Sequence, residues 1–532
     1  MHGAGDGLLA QCQDAFPWRY RGEFAILAAG AGRGEGPSIG DSERVETATQ
    51  ALHRLTSYEP GREWTDAIAD PRVVQDLVVN DVSRLPWPYK RYPPGLPRLP
   101  LPRELPATSA PAVAVLAGTA RVPPAELDTA QVSRLLHWSA GVVRTAELAH
   151  GRHLFRAAGS AGGRFPLELY LAVPEGGALP PGVHWYDPLE HALVTVGPAP
   201  RATAVSSGQG AGQGAGAPAI IVTGVPWRTG WRYRERGYRH IYWDAGTMLG
   251  QLLALADSAG LTAELYTRFP DAAVAALTGA DGSHEFPVAV AGLGAAVPAL
   301  EAGGPTVAGQ VDAAPVAFPL VTAAQRAGDC ERLGEPWGRG APADVPSTAA
   351  APVEAVVAAR GSQRRMDATR ALPLDVLRTC MGVALRGISV PHWVVAHDVD
   401  GLAAGVYRWP DLQTPARGGA LRDELCRVCL NQALARDAAF VAIAATDVGR
   451  LSDREYREAQ LAAGLAEGRL HLAAYALGAS ASGMTFLDSE LPALIGEPSD
   501  GLLFTCVGVP AYTSASGGQP GTPNQVRMVS PS

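Results

Sequence analysis

No apolar run in this chain is long enough to cross a membrane. A spanning helix needs about 18 or more such residues, and the best candidate, Phe286 to Leu300, is interrupted by Gly and Pro. The amino terminus lacks a basic head followed by an apolar stretch, so the expectation is a cytoplasmic protein without a secretory leader. Cations are not in excess: Lys and Arg number 44 against 52 Asp and Glu, giving a net charge of −8. Phosphate-rich polymers need clustered Lys and Arg, so nucleic acid is not an expected partner. Cysteine is scarce, with six in 532 residues. The single CxxC, Cys426 with Cys429, has no second pair or suitably spaced histidine to complete a zinc site, and it reads as two small buried residues on one helix. His153, His184, His191 and His240 also lack metal spacing, so no metal is expected. Nucleotide and nucleophile motifs fail too. GAGRGEG (Gly30 to Gly36) has Glu35 where a dinucleotide loop needs its third glycine, and GASASG (Gly478 to Gly483) is not a GxSxG elbow.

What is present is enough apolar sequence for several cores: 47% hydrophobic, 18% charged. Stretches rich in Gly, Pro and Ser punctuate it at 206–218, 303–315 and 340–354. The segment 89–106 is too rich in Pro for helix and is expected to lie extended over a neighbour. These breaks divide the chain into an amino-terminal extension (1–106), a first domain (107–300), a linker (301–353), a second domain (354–512) and a disordered tail (513–532).

The two domains share a sequence pattern. At a constant offset of 218, Arg236 meets Arg454, Tyr238 meets Tyr456, Arg239 meets Arg457, Gly246 meets Gly464, Gly250 meets Gly468, and Gly260 meets Gly478. LPPGVHWY (from Leu179) matches LAAGVYRW (from Leu402). In the first copy Ala245, Met248, Leu249, Leu252, Leu253 and Ala256 fall on one helical face, and Gly260 sits where a helix stops. Glycine within a helix costs about 1 kcal/mol relative to alanine. Two per copy, four apart, therefore predict close backbone approach, most simply helix against helix in a pseudo-dimer. LELYLAV (Leu167 to Val173) and WVVAH (Trp393 to His397) read as buried strands. The fold class expected is α+β, built twice.

The stretches SAGGRFPLELYLAV, PPGVHWYDPLEHALVTV, WRYRERGYRHIYWDAGTMLGQLLALA and GMTFLDSELPALIG resemble the nitroreductase superfamily. Within it they are most similar to the SagB-type azoline dehydrogenases, over roughly residues 45–510. The resemblance implies tandem nitroreductase-like domains, FMN held at their interface, and hydride transfer through flavin N5. The superfamily's R-x-S-x-R phosphate signature appears as Arg360, Ser362 and Arg364. Two guanidinium forks and a hydroxyl suit a phosphate. The first copy's counterpart, LAGTARVPPAEL, has only Arg121.

The family's small-residue loop appears in the first copy as Ser160, Ala161, Gly162, Gly163 and Arg164 after Gly159, where glycines let backbone N–H groups approach a ring edge. In the second copy, ALRGISVP (Ala384 to Pro391), the Ser and Gly pair is gone. The losses are complementary, so one FMN site is expected, shared between the copies. Gly483, Met484 and Thr485, in the segment from Ser482, are expected to line the same flavin.

Where the azoline dehydrogenases carry a catalytic Lys-Tyr pair, this chain has Arg232 and Tyr233. Arginine does not release a proton at working pH. Tyr233 could relay one, and Arg232 could steady negative charge on a reduced flavin. By resemblance the substrate would be a thiazoline or oxazoline of a peptide, with a cyclodehydratase as a possible partner. An FMN-dependent reductase or dehydrogenase of another small molecule, and a non-catalytic scaffold in a peptide-modifying complex, stay open as alternatives.

Overall fold

The computed structural model describes residues 45–62, 70–149, 151–202 and 216–530. Most of the Gly-rich loop at 206–218, and residues 1–44 of the amino-terminal extension, lie outside the described residues.

Strands β1 (Arg98–Pro100), β2 (Val142–Leu148), β3 (Gly151–Arg156), β4 (Leu167–Val173), β5 (Gly182–Asp187), β6 (Ala192–Gly197), β7 (Ala219–Gly224), β8 (Ala263–Tyr266) and β9 (Phe286–Leu293) belong to the first half of the chain. Seven of them form one sheet in the order β1-β6-β5-β4-β7-β9-β8. The second half carries β10 (Leu372–Pro373), β11 (His392–Ala396), β12 (Val399–Asp400), β13 (Gly405–Arg408), β14 (Arg417–Gly418), β15 (Phe440–Thr446), β16 (Ser480–Met484), β17 (Asp500–Gly508) and β18 (Asn524–Gln525). Its sheet runs β14-β13-β11-β15-β17-β16. The run β5-β4-β7-β9-β8 and the run β13-β11-β15-β17-β16 have the same connectivity, and every neighbouring pair is antiparallel. Both central strands, β4 (LELYLAV) and β11 (HWVVA), are buried along their whole length. That fits a strand covered on both faces, which reads as a continuous apolar run.

Two long helices, Gly237–Ser258 and Asp453–Ala476, lie against each other between the sheets. The second starts with a capping box, Ser452 with Glu455. Glycine makes the crossing possible: a Cβ at Gly468 would sit 2.6 Å from Thr247 O, and Cβ atoms at Gly246 and Gly464 would collide with the backbones of Leu461 and Trp243. Reciprocal buried ion pairs lock the ends of the crossing. Arg236 Nη1 and Arg239 Nη1 reach Asp488 at 2.6 and 2.7 Å, while Arg454 Nη1 and Arg457 Nη1 reach Asp271 at 2.9 and 3.0 Å. Each pair of arginines at the start of one long helix thus grips a carboxylate from the other half.

The flanking segments are more ordered than their composition suggests. In the Pro-rich segment, β1 adds an edge strand to the first sheet by pairing with β6. Ahead of it Lys90, the chain's single lysine, is wholly buried, donating to Glu285 Oε2 at 2.5 Å and Tyr170 Oη at 2.7 Å. Residues 301–353, expected as a linker, carry a helix at Pro319–Ala327 that packs against another at Ala48–Leu55. The tail expected to be disordered is a correction: β18 pairs in parallel with β2. Backbone N–H groups of Gly517 and Gly518 donate to Ala358 O and Val143 O at 2.7 and 2.8 Å. Composition misleads here because the order comes from backbone hydrogen bonds to another segment, which Gly and Ser supply as well as any residue.

Candidate functional site

The loop after β3 and the segment after the short helix Val353–Ala359 meet above the helix crossing. A Cβ on Gly159 would lie 3.3 Å from Arg360 Nη1, 3.7 Å from Thr247 Cγ2 and 3.8 Å from Ser362 Oγ. A Cβ on Gly162 would lie 2.6 Å from Tyr233 Oη and 2.7 Å from Arg232 Cδ. One loop therefore touches both Arg360–Ser362 and Arg232–Tyr233, residues far apart in sequence. Gly162 and Gly163 have φ of 58° and 64°, a region costly for other residues. Here glycine gives both the turn and the room.

Ser160 holds the loop's shape. Its hydroxyl donates to Asp244 and accepts from the N–H of Phe165 at 2.8 Å, and the N–H of Ala161 donates to Asp244 Oδ1 at 2.9 Å. Burial pushes the Asp244 carboxyl well above the usual carboxylate range. Arg164 closes the loop, with its Nε on Gly162 O at 3.2 Å and its guanidinium over the Trp231 ring. Burial, aided by the Arg232 charge, lowers Arg164 to about 10.

Arg360 and Arg364 have different neighbours. Arg360 is buried, donates to Ala157 O, and places Nη1 3.5 Å from His471 Nδ1. Burial and the neighbouring Arg144 hold it down at about 10. Arg364 instead shares its surroundings with Tyr512, Arg232 and Tyr233. The carboxy-terminal tail holds this segment: Tyr512 Oη accepts from Arg364 N–H at 3.1 Å, and Arg144 donates to the carbonyls of Ala358, Arg360 and Ala515.

Of the last three expected residues, Gly483 and Thr485 are half-buried, whereas Met484 packs into the second half's own core with Val441, Ile443 and Phe504. Side chains alternate along β16, so the Met484 side chain turns to the face opposite Gly483. Four residues were missed from the sequence: Asp244, Thr247, Glu467 and His471. Their partners at the offset of 218 are Ala462, Leu465, Leu249 and Leu253. A polar residue in one copy opposite an apolar one in the other was the clue.

Across the crossing, Arg386 stands beside the corresponding position. Gly118 follows the helix Ala112–Ala117 as Arg360 follows Val353–Ala359. A Cβ there would collide with the Arg386 guanidinium, and Gly340 packs against Gly387.

Residues 123–295 match the Nitroreductase family. A nitroreductase fold also extends beyond that region. A putative nitroreductase from Anabaena variabilis superposes with a TM-score of 0.63 at 22% identity, covering 88% of this chain and 100% of that one. The E. coli microcin synthetase complex with truncated pro-MccB17 bound gives 0.27 at 23% identity, over 33% of this chain and 68% of that one. The NADPH:FMN oxidoreductase of Vibrio harveyi gives 0.23 at 18% identity, over 30% and 68%. No curated protein matches the chain. The donors that meet here suit a phosphate-bearing group chemically. Arg360 Nε and Thr485 Oγ1 are buried without a hydrogen-bond partner, and buried donors of this kind are costly unless something accepts from them.

Proposed function

We propose that the chain is an FMN-dependent oxidoreductase whose single flavin site lies between two diverged copies of one nitroreductase-like unit, packed as a pseudo-dimer. The observation that carries this reading is the convergence of Gly159–Arg164 from the first half with Arg360–Arg364 from the second. Arg360 would bind the phosphate, with Ser362 beside it; Gly162, Gly163, Arg164 and Arg364 would surround the ring end near Tyr233; Gly483 and Thr485 would border the cofactor. Flavin supplies a two-electron hydride acceptor at N5. Tyr233 moves a proton at its hydroxyl, and Arg232, donating to Asn80 Oδ1 at 3.1 Å, places fixed positive charge beside it. On the sequence resemblance the substrate is a thiazoline or oxazoline in a peptide, oxidised to the azole, with a cyclodehydratase as the partner that makes it. Arg232 in place of lysine favours a second reading, an FMN-dependent reductase or dehydrogenase of another small molecule.

Reconstitution tests both. The full chain should take up FMN and turn yellow; Arg360→Ala with Arg364→Ala should abolish retention, and Arg121→Ala should leave it intact. A preparation that cannot be loaded with flavin would sink the enzyme readings in favour of a scaffold. Azole formation from an azoline peptide, against flavin reduction by a nicotinamide donor, separates the two enzyme readings.

A further inference from the structure

Glu467 lies on the second long helix, one helical turn before His471, and nothing above gives it a task. Its carboxyl is surrounded by groups from every element that packs on it. Thr247 Oγ1, from the first long helix, donates to its Oε2 at 3.2 Å, and a Cβ at Gly483 on β16 would collide with it. On its own helix His471 Nε2 lies 3.6 Å from Oε1. His392 of β11 and Thr505 of β17 line the same cavity. The charged groups near it are Arg360 and, on the first long helix, Asp244.

The hydrogen-bond roles fix the tautomer of His471. Arginine can only donate, so Nδ1 accepts from Arg360 Nη1 and the hydrogen is on Nε2, which makes no hydrogen bond, Glu467 Oε1 being 3.6 Å away. Burial lowers His392 to about 4, and burial with Arg360 lowers His471 to about 3, so both are neutral near pH 7. His471 therefore sits between a buried cation and a buried acid, 3.5 Å from Arg360 and 3.6 Å from Glu467. A carboxylate this buried needs compensating charge, and Arg360 is the cation that supplies it.

We propose that Glu467 is a positioning residue of the candidate flavin site that acts through Arg360. As a carboxylate it is the internal counter-charge of that guanidinium, and it takes a proton from solvent when a phosphate monoester binds there. The inference rests on the flavin reading above. A phosphate dianion brought beside Arg360 adds negative charge next to Asp244 and Glu467, and neutralising one acid relieves the repulsion. Burial already holds Glu467 at about 7. Binding raises it further, so affinity for the phosphate is full below pH 7 and falls as pH rises above it.

The test compares the full-length apoprotein and Glu467→Gln by quenching of flavin fluorescence during FMN titration. Taking the ratio of their dissociation constants at each pH cancels the titration of FMN's own phosphate. The two should agree within about two-fold at pH 6, and the variant should bind about ten-fold tighter at pH 8. With riboflavin, which has no phosphate, the ratio should not change with pH. A constant ratio for FMN, or the same shift produced by Asp244→Asn instead, overturns the proposal. Should Glu467→Gln fail to fold, calorimetry of wild-type protein at pH 7.5 in two buffers of different ionisation enthalpy decides: uptake of more than about half a proton per FMN supports it, and no uptake refutes it. Failure of wild type and variant to bind FMN at any pH would remove the flavin reading itself.

Discussion

Tyr233 stands where a proton could be passed. Its hydroxyl lies against Gly162, with Arg232 at its flank. Tyr233→Phe keeps the ring and removes the transferable proton, so turnover should fall about 100-fold while FMN affinity stays within about three-fold. Equal losses in both would show that the hydroxyl organises the pocket instead. Legibility at this scale was uneven. The approach of Gly159 to Arg360 and Ser362 joins two segments that the sequence singles out because a motif has fixed spacing. Glu467, His471 and Asp244 could not be read, because each sits on a helix face that looks like ordinary amphipathic pattern until a second helix covers it. Met484 shows the opposite limit: the two-residue strand period turns its side chain into the core, which its neighbours in sequence do not reveal.

At the scale of elements, the helix crossing and its ionic locks hold the half-sites together. Gly464→Ala places a methyl group against the Trp243 backbone, and should lower stability by about 1–3 kcal/mol in chemical denaturation. A surface alanine substitution should do nothing comparable. Asp488 is the pH-sensitive member. Although burial opposes its charge, Arg236 and Arg239 bring its folded-state value down to about 2. A depressed carboxylate contributes stability that is present above its unfolded value near 4 and is lost as pH falls toward 2, worth about 2 kcal/mol. Asp488→Asn should therefore flatten the acid limb of the stability profile between pH 4 and 2; an unchanged limb would assign acid unfolding to other groups. The tail is an element too. Deleting residues 513–532 removes the bonds that Ala515, Gly517 and Gly518 make with Arg144, Ala358 and Val143. That should weaken FMN binding at least ten-fold, since the Arg360 segment loses one wall.

For the whole molecule the expectation is one FMN per chain, read by titration to saturation. Arg386 lies against Gly118 across the crossing, and two flavins per chain would contradict the proposed asymmetry. The sequence by itself determined two buried strands, one helical face and the two halves' common pattern, because apolar periodicity, repeated glycines and arginines at one offset are local or pairwise properties of the chain. It also placed most of the residues that converge. Only the tertiary structure decided which way they face. Arg360 and Arg364 have different neighbours, Arg386 lies against Gly118, and a glycine-rich tail pairs as a strand. Each of these depends on what another segment brings within hydrogen-bond reach, and one-dimensional spacing holds no information about that.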